Sequence, residues 1–200
     1  MKKYQAFFVF FLFTTILFAQ EVENPVLSIK QGTRLVYQVD NNGKMYDFIV
    51  KITEAGNNGI KFQWEMTSPV NYSGKITLTA QALAKANSLF NYFQNNSDEI
   101  LTNQTTVLLS DDVYKKVIKR KKCALDFGSR TTMGTSDVLL DASKKKFNVK
   151  INGVSSELEC PVLYAANNSL LRIAFLKVDN YVLIVEMQGD FTIYLKEAKV

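Results

Sequence analysis

No histidine occurs among the 200 residues. Histidine is the usual general acid/base and metal ligand near neutral pH. Its absence excludes Ser-His-Asp and Cys-His catalysis and most zinc sites. Cysteine is nearly as scarce, with Cys123 and Cys160 alone and no C-x-x-C pair for redox catalysis. No glycine-rich phosphate loop occurs, so Asp126-Phe127-Gly128 is a chance match to a kinase tripeptide. With three prolines, the chain has no proline-rich linker, and no internal repeat breaks it into units. After the N-terminal residues no second long apolar run follows, so no membrane span is expected in the mature chain.

That N-terminal run is the first thing present. Lys2 and Lys3 precede an apolar stretch that ends in Ile16-Leu17-Phe18-Ala19, ahead of Gln20 and Glu21. A basic start, a short apolar centre and a small residue before a polar stretch read as a secretory signal peptide over 1–19. A membrane anchor is the rival reading, but the run is about 15 residues where a spanning helix needs about 20. Residues 20–200 are then one exported domain, periplasmic or secreted. The formal charge is +5; without Lys2 and Lys3, 22 basic residues face 19 acidic ones. Part of the basicity is therefore the export signal, and no nucleic-acid partner is expected.

From residue 34 the pattern is period-2 alternation, the mark of half-buried strands. Leu35, Tyr37 and Val39 share one face, then Asn41-Asn42-Gly43 turns the chain. Tyr46, Phe48, Val50 and Ile52 follow, then Asn57-Asn58-Gly59, then Ile60, Phe62, Trp64 and Met66. Lys75–Thr79 reads as a fourth strand. Residues 80–93 fit a helix or an extended strand, and Ile100-Leu101 and Thr105–Leu109 read as short strands. Ser110, Asp111 and Asp112 open a helix whose last turn carries Lys119 and Arg120, an order that suits the helix dipole. Lys122–Phe127 is a further strand, and residues 128–135 a loop. The C-terminal half gives strands at Phe147–Ile151, Val154–Cys160, Leu171–Phe175, Tyr181–Met187 and Phe191–Leu195, the first two joined by Asn152-Gly153. The expectation is a mainly β domain: an antiparallel meander curled into a β-roll, half-barrel or lipocalin-like barrel with one or two short helices, its edges hidden by closure.

Val178-Asp179-Asn180-Tyr181-Val182-Leu183-Ile184-Val185-Glu186-Met187 and Phe191-Thr192-Ile193-Tyr194-Leu195-Lys196-Glu197 resemble the closing hairpin of periplasmic spiral β-roll proteins of unknown function. Tyr181-Val182 stands where that pattern has Pro-Leu. Gln31-Gly32-Thr33-Arg34-Leu35-Val36-Tyr37 is similar to their first strand. The resemblance implies a β-roll of the cell envelope and carries over no activity or site residue.

Candidate functional residues fall into three groups. Cys123 and Cys160 are expected to pair as one disulfide in an oxidising compartment, closing a loop of about 38 residues worth roughly 3–4 kcal/mol. A reactive thiol at Cys123, beside clustered positive charge, is the alternative. Lys115, Lys116, Lys119, Arg120, Lys121 and Lys122 form a basic run that fits an anion-binding patch for lipid head groups or envelope polysaccharide, or a solvated helix end. Tyr37, Phe48, Phe62 and Trp64, with Tyr46, fit either core packing or an apolar cavity that holds a lipid or similar small molecule. Asp126, Asp137 and Asp141 match no calcium-loop template, and no carboxylate spacing suggests a glycosidase. No cofactor is expected. The functional expectation is a non-catalytic envelope protein that binds an apolar ligand or an envelope protein. A structural or assembly protein acting through its surface is the alternative, with a carboxylate-based hydrolase third.

Overall fold

The computed structural model describes residues 26–128, 136–166 and 168–200. The elements run β1 (Arg34–Asn41), β2 (Lys44–Gly56), β3 (Gly59–Met66), β4 (Ser73–Thr79), α1 (Ala80–Lys85), β5 (Ser97–Leu101), β6 (Leu108–Leu109), α2 (Asp111–Arg120), β7 (Lys122–Leu125), β8 (Ser136–Ile151), β9 (Val154–Ala165), β10 (Asn168–Val178), β11 (Tyr181–Gln188) and β12 (Thr192–Lys199). The fold is mainly β and barrel-like, as the alternation predicts. The Asn-Gly turns sit where the sequence puts them: Asn42 and Asn152 take φ of 54° and 51°, followed by Gly43 and Gly153 at 81° and 85°. Those paired positive angles match the strand twist of a two-residue hairpin.

All the strands belong to one sheet, in the order β5-β4-β3-β2-β1-β12-β11-β10-β9-β8-β7, with β6 on β11. Most neighbours are antiparallel hairpin partners. β1–β12 and β6–β11 are antiparallel but join strands far apart in the chain, and two pairings are parallel; these correct the simple meander. β5 runs parallel to β4. β12 runs parallel to β8 at Glu197–Lys150 and Ala198–Ile151, which closes β8 to β12 into a five-strand barrel. Two bulges permit that closure. Against β1, β12 skips Lys196, since Val36 faces Glu197 and Tyr37 faces Leu195. Against β10, β11 skips Val185, since Ala174 faces Glu186 and Phe175 faces Ile184. An extra residue bends and twists a strand locally, so β12 pairs with β11 only at residues 192–194 before it reaches β8.

Two apolar clusters fill the molecule. One holds the inner face of β1–β4 with Val149, Cys160, Val162, Leu183 and Ala198. The other holds Val113, Val117, Cys123, Val138, Leu163, Ile173 and Phe175. α2 covers the second cluster with Val113 and Val117, both fully buried, and Tyr114 stands edge-on to Phe175 at 6.1 Å. Each such burial contributes roughly 1.5–3 kcal/mol. Ser110 caps the helix as its position predicts. Its Oγ accepts from the Val113 N–H and donates to the Ala86 carbonyl, which ties α2 to the end of α1. Of residues 80–93 only Ala80–Lys85 is helical. β8 begins well before Phe147, because its first half pairs with β7 and the far end of β9. Of the predicted loop at 128–135, residues 129–135 lie outside the described residues.

The expected disulfide is corrected. Cys123 faces Val138, and Val138 faces Ala165. Cys160 is five residues back along β9, about 16 Å at strand rise, and two strands across. A disulfide needs its Cα atoms within about 7 Å. The two side chains also belong to different clusters, and both are buried free thiols.

Candidate functional site

The ladder registers align a row of apolar side chains across six strands. Met66 faces Phe48, Phe48 faces Tyr37, and Tyr46 faces Val39. Val39 faces Ile193, and Ile193 faces Met187. Leu171 and Ile184 extend the row over β10 and β11. These residues floor a cavity of about 520 Å³. Its roof is two irregular stretches on either side of β5, Leu89–Phe93 and Thr106–Val107, joined by Phe127 and Gly128. The roof is pinned by backbone bonds: Leu89 N–H to the Asp126 carbonyl (2.8 Å), Phe90 N–H to the Thr105 carbonyl (2.8 Å) and Ile184 N–H to the Val107 carbonyl (2.9 Å). The Asn91 amide donates to the Phe127 carbonyl and locks the two roof segments together.

The cavity lies at the seam of the two clusters, with Tyr37 and Phe48 from one and Leu89, Phe127 and Met187 from the other. Tyr37 is buried and its phenol is pushed well above its ordinary pKa by desolvation, so it stays a neutral donor. Asn41, Tyr72, Gly189 and Asp190 are exposed at the rim. A mostly apolar, aromatic cavity with a few polar groups is the usual form of a small-molecule site.

Of the four aromatics that the alternation singles out, Tyr37 and Phe48 line this cavity. Phe62 and Trp64 are packed in the core beside it. Trp64 stands edge-on to Phe93 with centroids 5.0 Å apart, and Phe93 lies 4.8 Å from Phe48. The sequence reading missed the whole roof and the strip Leu171, Met187, Ile193. Roof residues lie in stretches whose pattern fits a helix or a strand, so no local signal places them over the sheet.

The basic run is split by the helix. Lys115 and Lys116 bridge to Asp111 (3.5 Å) and Asp112 (2.6 Å) one turn earlier. Lys119, Arg120, Lys121 and Lys122 are exposed at the α2–β7 junction, where Lys121 takes the left-handed cap position. None of the six lines the cavity. Lys144 and Lys146 bridge outward to Glu159 and Glu157. Asp126 accepts from the Ser88 hydroxyl and the Gly128 N–H, and Asp137 is exposed on β8. The side chain of Asp141 lies outside the described residues. Among the described residues no group of three His, Cys, Asp or Glu side chains can hold a metal, and no helix is long and apolar enough to cross a membrane.

No family model, curated protein or solved structure matches this chain. The reading of the site therefore rests on its own geometry.

Buried charge is concentrated elsewhere. Glu186 is 6% exposed and is held by Lys145 (2.8 Å) and by the Arg172 Nε (3.0 Å). It faces Ala174 on one neighbouring strand and Tyr194 on the other. Tyr194 in turn donates to the Gln38 amide oxygen. The ion pairs tie β8, β10 and β11 together, and the Tyr194–Gln38 bond ties β12 to β1.

Proposed function

We propose that this protein is a non-catalytic binding protein of the bacterial envelope that holds an apolar small molecule between the sheet and the 89–93 and 106–107 segments. The single observation that carries the reading is the cavity of about 520 Å³ floored by Phe48, Val39, Ile193 and Met187. The N-terminal pattern supports the envelope address. The surface-acting alternative needs a contiguous apolar patch. The large exposed apolar residues, such as Met45, Ile100, Leu139, Val154 and Leu170, stand on different strands. The hydrolase alternative needs carboxylates facing one cleft. Here Asp126, Glu157, Glu159 and Glu186 are all engaged in hydrogen bonds or ion pairs.

The test is titration with the uncharged fluorophore N-phenyl-1-naphthylamine. Saturable binding of one probe per chain is expected, with excitation passing from Trp64, the sole tryptophan. Filling the floor by Val39→Phe or Ile193→Phe should abolish binding while circular dichroism stays native. A probe that binds both filled variants as well as the parent overturns the reading.

A further inference from the structure

The wall of the cavity carries an electrostatic bias that goes beyond its apolarity. Among the described residues, no Lys or Arg lines the cavity. Among the described lining residues the one that carries a charge is Asp190, exposed at the rim and already engaged within the protein. The other polar lining groups are neutral: the amides of Asn41, Asn91 and Gln188, the hydroxyl of Thr106, and tyrosine phenols.

We infer that the ligand is an uncharged amphiphile, an apolar body bearing a hydroxyl, carbonyl or amide, and not a fatty acid or a phosphorylated lipid. The inference rests on the binding reading above. A carboxylate or phosphate taken out of water needs a cation or several strong donors. The described wall has no cation to offer. A neutral hydroxyl or carbonyl loses much less on burial and is satisfied by one or two amide or phenol partners. An ammonium head would need an open carboxylate partner in the wall, and the wall's one carboxylate is already engaged.

The experiment is competition against bound N-phenyl-1-naphthylamine at pH 8, below the critical micelle concentration, with 1-dodecanol and dodecanoate as equal-length competitors. Dodecanol should displace the probe at concentrations at least tenfold lower. Dodecylamine in a third arm should match dodecanoate or be weaker than dodecanol. Installing a cation should reverse the discrimination: Met66→Lys in the floor, or Gln188→Lys at the rim as the variant more certain to fold, should bring dodecanoate level with dodecanol. Equal displacement by alcohol and carboxylate in the parent, or preference for dodecanoate or dodecylamine, overturns the inference while leaving apolar binding intact. A selectivity that neither lysine variant alters also overturns it, because discrimination would then arise elsewhere. Absence of probe binding to the parent overturns the binding reading itself.

Discussion

The Tyr37 hydroxyl donates a hydrogen bond to the Ile184 carbonyl at 2.9 Å, joining residues 147 apart in the chain. Tyr37 is on β1 and Ile184 on β11, with β12 between them. The acceptor sits at the bulge where Val185 is skipped. The bond therefore spans the strand that closes the barrel, and it does so at the back of the cavity. Tyr37→Phe keeps the ring and removes the donor. With the carbonyl left buried, the expected loss is about 1–3 kcal/mol, read as a lower urea midpoint at unchanged m-value. No change in midpoint would show that the bond has no net value.

The space beside Trp64 is set by Gly74. A Cβ there would lie 2.7 Å from the Ser97 carbonyl oxygen and 2.8 Å from the indole ring. Either the parallel β4–β5 pairing or the indole must shift. Trp64 is buried and its N–H has no partner among the described residues. Gly74→Ala should move the single-tryptophan emission and destabilise the fold by about 1–3 kcal/mol. An unchanged emission maximum with unchanged stability would contradict this packing.

Glu186 is an asymmetric ion network. Its carboxylate is buried, whereas Lys145 and Arg172 expose 41% and 30% of their side chains. Removing the acid leaves two cations that can still reach water. Removing both cations leaves a buried, uncompensated carboxylate, a loss on the order of 3–5 kcal/mol. The double change Lys145→Met with Arg172→Met is therefore expected to cost more than Glu186→Gln. Thermal unfolding of the two proteins decides the order.

The buried thiols give a pH signature. Burial pushes Cys123 up to about 11 and Cys160 up to about 12. A thiol raised in the folded state favours folding fully below the unfolded pKa of about 9, and that contribution is lost as pH rises through the folded values. Stability should fall between pH 9 and 12, by at most about 1.4 kcal/mol per pH unit for each thiol. Replacing both cysteines by alanine should flatten that slope. At pH 8 the native protein should resist thiol reagents, with both thiols labelled in denaturant and no change in melting temperature on adding reductant. Rapid native labelling would contradict the burial.

Ser110 is fully buried and serves two helices at once through its cap bond and its bond to Ala86. Ser110→Ala should cost about 1–2 kcal/mol. Ser110→Thr should recover part of it if the added methyl fits.

Local chemistry wrote much of the fold into the chain. Alternation over Ile60, Phe62 and Trp64 specifies which face is buried, because a strand's side chains point to opposite faces in turn. The Asn42-Gly43 and Asn152-Gly153 turns specify hairpins, because those residues accept positive φ. Ser110 with Asp111 and Asp112 specifies the start of α2. Each signal lies within a few residues of what it controls. The cavity was half legible for the same reason: Tyr37 and Phe48 sit on clean strands, whereas the pattern of its roof suggests elements that the structure leaves irregular.

Tertiary structure alone decided the rest. The β8–β12 and β4–β5 parallel pairings join strands that no tight turn links, so only the global register selects them. That register, bent by bulges at Lys196 and Val185, puts Cys123 and Cys160 in separate cores, although their even number suggested a bridge. It buries Glu186 between strands whose local pattern is apolar. It also lays the 89–93 and 106–107 segments over the sheet and leaves space beneath them, because volume between elements depends on distances that sequence neighbours do not set.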